Sequence, residues 1–130
     1  MDFDARKLLS ETRQTRIVFP CDLNDHSTLF GGNVLKWMDE AAYITAIRFC
    51  RQDMVTVSAN NISFNLPIPA GSILEIIARV TEVGTVKLKV SVSVSVEQSH
   101  SDEKKKAIEG SFSFVAIDKD HKLLRLVIPE

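Results

Sequence analysis

The chain has 130 residues, 45% of them hydrophobic and 25% charged, enough for one compact domain over residues 1–130 and too little for two well-formed ones. A formal net charge of −1 and a sequence pI near 6.3 exclude the global basic field that draws proteins to nucleic acid or to anionic membranes. The start, Met1-Asp2-Phe3-Asp4, lacks the basic and apolar regions of a secretory signal, and no apolar run approaches a membrane span.

Cys21 and Cys50 sit in no CxxC or zinc-like spacing. They read as free thiols of a reducing compartment, packed as small hydrophobes, which makes a cytoplasmic protein the expectation. Residues 3–10 have the pattern of a short helix with Leu8 and Leu9 inward. Thr15 to Phe19 is β-prone and ends at Pro20, a strand with its stop signal. Residues 21–30, rich in Asp, Asn, Ser and Thr, are turn chemistry.

From Asn33 to Phe49 apolar residues recur at three- and four-residue spacing: Val34, Leu35, Met38, Ala41, Ala42, Thr45 and Phe49, widened by Trp37, Ile44 and Ile47. This predicts a long helix lying against a sheet. After Asp53 the period drops to two. Val55, Val57 and Ala59 alternate with Thr56, Ser58 and Asn60, while Ile62 and Phe64 fall in the opposite phase, so a β-bulge is expected near Asn60-Asn61. A turn at residues 66–71 precedes strands over 73–83 and 85–96 joined at Gly84. A charged loop over 97–106, a strand over 107–117 and a short edge segment within 123–128 complete the chain. One helix covers one face of such a sheet, and the uncovered face and edges point to burial in an oligomer, most simply a two-fold dimer.

The segment most suggestive of chemistry runs from Asn24 through Leu29-Phe30-Gly31-Gly32 into the helix. Glycines at a helix start let a ligand approach the backbone and leave the first N–H groups pointing outward, where the positive end of the helix dipole favours a developing oxyanion. The same glycines could serve helix–sheet packing alone. Asp39, with Leu35, Ala42 and Tyr43 one turn away, is a carboxylate among apolar neighbours; a solvated edge position is the bland alternative. Asn24 could polarise a carbonyl or hold a water, or simply close a turn. Glu40 above Lys36 reads as a surface ion pair. His26 has no partner at metal-ligand spacing, so no metal site is expected. No serine occupies a nucleophile elbow and no phosphate loop is present.

Asn24 with Leu29-Phe30-Gly31-Gly32, Trp37-Met38-Asp39-Glu40-Ala41-Ala42, Val55-Thr56-Val57-Ser58, Ile62-Ser63-Phe64, Pro67-Ile68 with Gly71, and Val83-Gly84 together resemble the hotdog-fold acyl-CoA thioesterases, specifically the YciA-like and cytosolic brain-type acyl-CoA hydrolase group. The resemblance spans roughly residues 15–117. It implies an α+β hotdog fold, one long central helix wrapped by a five- to six-stranded antiparallel sheet. It also implies a homodimer, often a homohexamer built as a trimer of dimers, with active sites between subunits and acyl-CoA as substrate. On this chain the family's catalytic positions fall on Asp39, Asn24 and Gly32, with substrate contacts at Gly31, Phe30, Thr56 and Ser58. Asp39 would act as general base on water, or as nucleophile through an anhydride. No cofactor is implied, CoA being part of the substrate and product, and neither nucleic acid nor membrane is an expected partner.

The chain departs from the family pattern at two positions. Ser27 stands where Gly is usual, a substitution strained if the backbone there has φ > 0. Val86 stands where a Ser often follows the Gly84 turn. The CoA phosphates need cations, for which Arg79, Lys87, Lys89 and Lys104 to Lys106 are candidates. Two other functions stay open at this point: a hotdog enoyl-CoA hydratase, suggested by Asp22 through His26, and a non-enzymatic acyl-CoA-binding sensor.

Overall fold

The structure is a computed structural model and describes residues 2–129; Met1 and Glu130, the ends of the 1–130 span, lie outside the described residues. Helix α1 (Phe3–Ser10) is opened by Asp2, whose carboxylate accepts from the Ala5 N–H at 2.7 Å, a standard N-cap. Its inner face is not Leu8 and Leu9, which are exposed, but the buried Arg6 and Ser10 together with Phe3, which is itself partly open to solvent. Those three follow helical spacing, so residues 8 and 9 turn outward. Phe3 meets the Phe49 ring edge-on at 5.6 Å.

Strand β1 (Thr12–Ile17) begins three residues before the expected Thr15 and ends two before Phe19. The Phe19 N–H leaves the ladder because it donates to the Asp22 carboxylate at 2.9 Å, over a single 3-10 turn at Pro20–Asp22. Helix α2 (Gly31–Cys50) starts two residues ahead of Asn33 and ends where Arg51 turns left-handed, φ 55°. Its buried stripe, including Val34, Met38, Ala41, Ala42, Thr45 and Phe49, reproduces the sequence pattern.

The sheet comprises β2 (Met54–Phe64), β3 (Ile73–Val83), β4 (Lys87–Glu97), β5 (Lys104–Ile117) and β6 (Leu123–Leu124) together with β1. The order is β1-β3-β4-β5-β2, wholly antiparallel, with β6 beside β5. The helix-and-sheet arrangement expected from the resemblance is therefore present, with six strands. Lys104, Lys105 and Lys106 belong to β5 rather than to a loop, because they continue the ladder opposite Glu97, Val96 and Ser95. The bulge is where the phase change put it: register breaks between Asn60 and Ser63, and Asn61 has φ 55°.

The core fills the space between α2 and the sheet, with Leu74, Ile76, Ala78 and Val80 of β3, Leu88 to Val96 of β4 in alternation, and Ile108, Phe112 and Phe114 of β5. Cys50 is in this core, and its burial pushes the thiol up to about 11. Cys21 is exposed, contrary to the expectation of burial, since it sits on the surface turn at Pro20–Asp22. No described helix is long and apolar enough to cross a membrane.

The C-terminal end of α2 is closed from a distance. The buried Arg6 guanidinium donates to the carbonyls of Phe49 at 2.9 Å and Arg48 at 2.6 Å, satisfying acceptors that the helix leaves open and placing a cation at the negative end of its dipole. Thr45, fully buried, donates toward Thr12 Oγ1 at 2.7 Å and tethers mid-helix to the edge strand. Replacing Arg6 by methionine removes the donors but keeps most of the stem, and should lower unfolding free energy by about 2–3 kcal/mol in urea titration. Iodoacetamide at neutral pH should modify one thiol of the native protein, Cys21, and two after denaturation, as read by intact mass.

Candidate active site

The loop before α2 is organised by Asn24. Its side-chain Oδ1 accepts from the backbone N–H of His26 at 2.9 Å and of Thr28 at 3.1 Å, while Nδ2 donates to Thr28 Oγ1 at 3.0 Å. An amide nitrogen carries two hydrogens, so one N–H of Asn24 is left for a ligand. Asn24 therefore closes the turn and still keeps one donor without a partner among the described residues. Leu23 and Leu29 bridge across the neck of the loop, and the Asn24 N–H donates to the Thr28 carbonyl at 2.7 Å.

Within this loop Ser27 has φ 63°, the left-handed conformation that makes a glycine natural there. Phe30 is the N-cap of α2 and supplies no side-chain cap. Among the described residues the N–H groups of Gly31 and Gly32 have no acceptor. A Cβ on Gly32 would come within 2.7 Å of the exposed Phe30 ring, which would have to swing aside. Beside the helix start lies a cavity of about 330 Å³ whose walls include Gly31, Val34, Phe64, Leu66, Ile68 and Ile108, with Thr28 at its rim.

Asp39 lies eight residues further on, ~12 Å along the axis at 1.5 Å per residue. It is half-buried. Its Oδ1 accepts from Thr56 Oγ1 of β2 at 2.9 Å, and its other oxygen has no partner among the described residues. It opens onto a shallow groove of about 400 Å³ shared with Glu40, Tyr43 and Ile44. Ser58, also half-buried on β2, accepts from Asn60 Nδ2 at 3.1 Å and makes no hydrogen bond to Asp39 among the described residues.

The expected site residues thus divide into two groups within one chain. Asn24, Phe30, Gly31 and Gly32 cluster at the helix start, Asp39 and Thr56 form a second centre, and Ser58 joins neither. Thr28 and the wall residues Phe64 and Leu66 are additional members that the sequence reading did not single out. Thr28 falls four residues after Asn24, and its polar side chain next to the apolar Leu29 was the available signal.

Among the described residues the outer edge of β2 carries no strand, and Val55 and Val57 of β2 are exposed. His26 is out in solvent, 3.7 Å from Asp25, and Asp22 is occupied by the Phe19 N–H, so Asp22 and His26 form no acid–base pair. Among the described residues no three His, Cys, Asp or Glu side chains gather as metal ligands would. Of the candidate cations, Arg79 is paired with Glu11 at 3.1 Å, Lys104 with Glu75 at 3.8 Å, Lys105 with Glu103 at 3.9 Å, and Lys106 with Glu109. Lys87 and Lys89 have no carboxylate partner among the described residues.

A family model described as the thioesterase superfamily matches residues 26–102. An uncharacterised acyl-CoA thioester hydrolase of Bacillus subtilis, YkhA, is 37% identical over 123 residues, covering 93% of this chain and 72% of the relative. Among solved structures, an acyl-CoA hydrolase of Staphylococcus aureus in complex with butyryl coenzyme A, coenzyme A and coenzyme A disulfide superimposes with a TM-score of 0.88. It is 32% identical and covers 94% of this chain and 74% of the other. An apo-hexameric acyl-CoA thioesterase superimposes at 0.89, with 32% identity over 95% of this chain and 80% of the other. The S. aureus enzyme has also been solved with single alanine replacements of an asparagine, an aspartate and a threonine. These are spaced fifteen and then seventeen residues apart, the spacing of Asn24, Asp39 and Thr56 here.

The left-handed backbone at Ser27 costs an L-residue about 1–2 kcal/mol, against roughly 0.5–1 kcal/mol for glycine's greater freedom in the unfolded chain. Ser27→Gly should accordingly stabilise the protein by roughly 0.5–1 kcal/mol, seen as a higher urea midpoint with an unchanged slope. Ser27→Val, β-branched, should move the midpoint the other way.

Proposed function

The chain belongs to the thioesterase superfamily, and on that premise we propose that it hydrolyses acyl-CoA thioesters to a carboxylic acid and free CoA. The observation that carries this reading is the half-buried Asp39 carboxylate. It is oriented by Thr56 and has no other partner among the described residues, on the same helix whose start offers two N–H groups likewise without an acceptor among them. The kinship to proteins named acyl-CoA hydrolases supplies the substrate class. The matched spacing of asparagine, aspartate and threonine supports the choice of residues.

A thioester cannot span both centres of one chain, since attack requires reacting atoms about 3–3.5 Å apart and the centres are ~12 Å apart along the helix. A homodimer resolves this by bringing the Asn24–Gly31–Gly32 centre of one subunit against Asp39 and Thr56 of the other. The unpaired β2 edge with its exposed valines is the surface that such pairing would cover. Assembly of such dimers into a hexamer, as in the hexameric relative, is the further expectation.

In the composite site the thioester carbonyl oxygen accepts from the Gly31 and Gly32 N–H groups and from the spare Asn24 Nδ2–H. These donors stabilise negative charge as it develops on that oxygen. Asp39 either takes a proton from water as that water attacks the carbonyl carbon, or attacks it directly to give an anhydride that water then opens. In both routes the C–S bond breaks and the CoA thiolate leaves. The reaction needs no cofactor.

Thiol release from a panel of acyl-CoAs tests the activity; absence of release from every chain length sinks the reading. Asp39→Ala should lower kcat by about 10²–10⁴-fold, and Asn24→Ala by about 10²-fold or more. Mixing the two variants after co-refolding should recover about a quarter of the normal rate, because random pairing makes half the dimers hybrid and each hybrid holds one complete site. A mixture no faster than its parts would refute sites shared between subunits.

A further inference from the structure

We propose that the side chain missing at Gly31 is a notch that receives the α-carbon of the acyl group, and that Gly31 and the Phe64 ring facing it decide whether branched acyl groups are accepted. The inference rests on the acyl-CoA thioesterase reading and deepens it.

The fold itself does not call for glycine at this position. Of the five glycines, Gly71 has φ 85°, and a Cβ on Gly84 would press on the Lys87 carbonyl oxygen at 3.2 Å. Cβ atoms on Gly32 and Gly110 would run into Phe30 and Ile62. Gly31 alone has neither a left-handed φ nor a neighbour that a Cβ would crowd. The nearest atoms would be Cε1 and Cζ of Phe64, both at 3.6 Å, an ordinary van der Waals contact. Alanine is the better helix residue and would fit, yet the position carries no side chain.

The space left open lies at the cavity beside the helix start. Gly31 and Phe64 both line it, together with Val34, Leu66, Ile68 and Ile108. Cα–Cβ bonds of a helix tilt toward its N-terminus, so a Cβ on the first residue of α2 would lean toward the oxygen that meets the Gly31 N–H. Two chains diverge from the reacting carbon. The CoA arm carries amides and a charged nucleotide that need polar partners or water, whereas the apolar cavity walls suit the acyl tail. The acyl α-carbon is one bond from the carbonyl carbon and so comes against Gly31, where the side chain would stand.

Phe64 supplies the facing surface. Register is lost between Asn60 and Ser63, where Asn61 is left-handed, and past this bulge Phe64 lies opposite Ile108 with its ring at the helix start. The ring is 52% exposed, so shortening it widens the notch without emptying the core.

The test measures kcat/KM by thiol release for butanoyl-CoA and octanoyl-CoA, each against its α-methyl analogue, in the unsubstituted protein, Gly31→Ala, Phe64→Ala and the double variant. Alanine keeps the backbone N–H, so the donor to the carbonyl oxygen is retained. One methylene more or less in an apolar pocket changes kcat/KM by about 10- to 200-fold. Gly31→Ala should therefore lower the branched-to-straight ratio at least about tenfold, Phe64→Ala should raise it, and the double variant should return it toward the starting value. The urea midpoint of Gly31→Ala should be no lower than that of the unsubstituted protein. A ratio unmoved in either single variant overturns the proposal. So does a lower midpoint, a failure of Gly31→Ala to fold, or a change in its oligomeric state on size-exclusion chromatography, each of which assigns the missing side chain to packing within or between chains. Absence of release from all four substrates by the unsubstituted protein overturns the thioesterase reading itself, a result distinguishable from an unmoved ratio.

Discussion

The packing of α2 along the sheet determines almost everything else about this molecule. The helix buries Val34, Met38, Ala41, Ala42, Thr45 and Phe49 against β3, β4 and β5, apolar burial of the kind that drives folding. Because the buried stripe fixes the helix's rotation, it also fixes which residues face away from the sheet. Asp39 and Tyr43 fall on the flank toward β2, where Tyr43 meets Phe114 edge-on at 6.2 Å. Shifting the stripe by one residue would turn Asp39 about 100° around the axis and away from Thr56. Core packing and the orientation of the carboxylate are consequently one constraint.

The two ends of that helix are treated in opposite ways. At the C-terminus Arg51 closes the last turn by donating to Ile47 at 2.6 Å, and Arg6 reaches in from α1 to the next carbonyls. At the N-terminus a phenylalanine occupies the cap position, where Ser, Thr, Asp or Asn would have satisfied a donor. A missing cap costs about 1 kcal/mol, a sacrifice that makes sense when a ligand's oxygen is to take the donors. Capping and function compete for the same N–H groups, and here the sequence leaves them open.

Much of this is legible in the sequence, because periodicity reports burial directly. The three- and four-residue spacing over 33–49 found α2, and the phase reversal after Asn60 found the bulge. The misses have physical causes. Leu8 and Leu9 look like core residues until Arg6 is seen capping α2, a contact between residues 42 and 43 positions apart that no local pattern contains. The lysines 104–106 look like a loop because exposed strand ends carry charge freely, and their pairing with β4 is non-local. At the site, Asp39 was visible as a carboxylate among apolar neighbours, but its bond to Thr56 needed the fold. The groove walls Phe64, Leu66 and Ile68 come together only because β2 and the turn after it arch over the helix start.

Among the described residues, the groups left without partners are not scattered. The Gly31 and Gly32 N–H groups, the second Asp39 oxygen, the spare Asn24 N–H and the open edge of β2 contrast with the satisfied C-terminal end of the helix. Leaving a polar group unsatisfied is tolerable while water reaches it and costly once it is covered. If a second subunit covers the β2 edge, these donors and the carboxylate lose water together, and each becomes a stronger electrostatic partner for whatever lies between the chains. Dimer formation and activation of the site are then the same physical event. On the proposed mechanism an isolated chain would hold each of these groups in place on the fold and still lack a site, because the helix that orients Asp39 also holds it about two turns from the Gly31 and Gly32 donors.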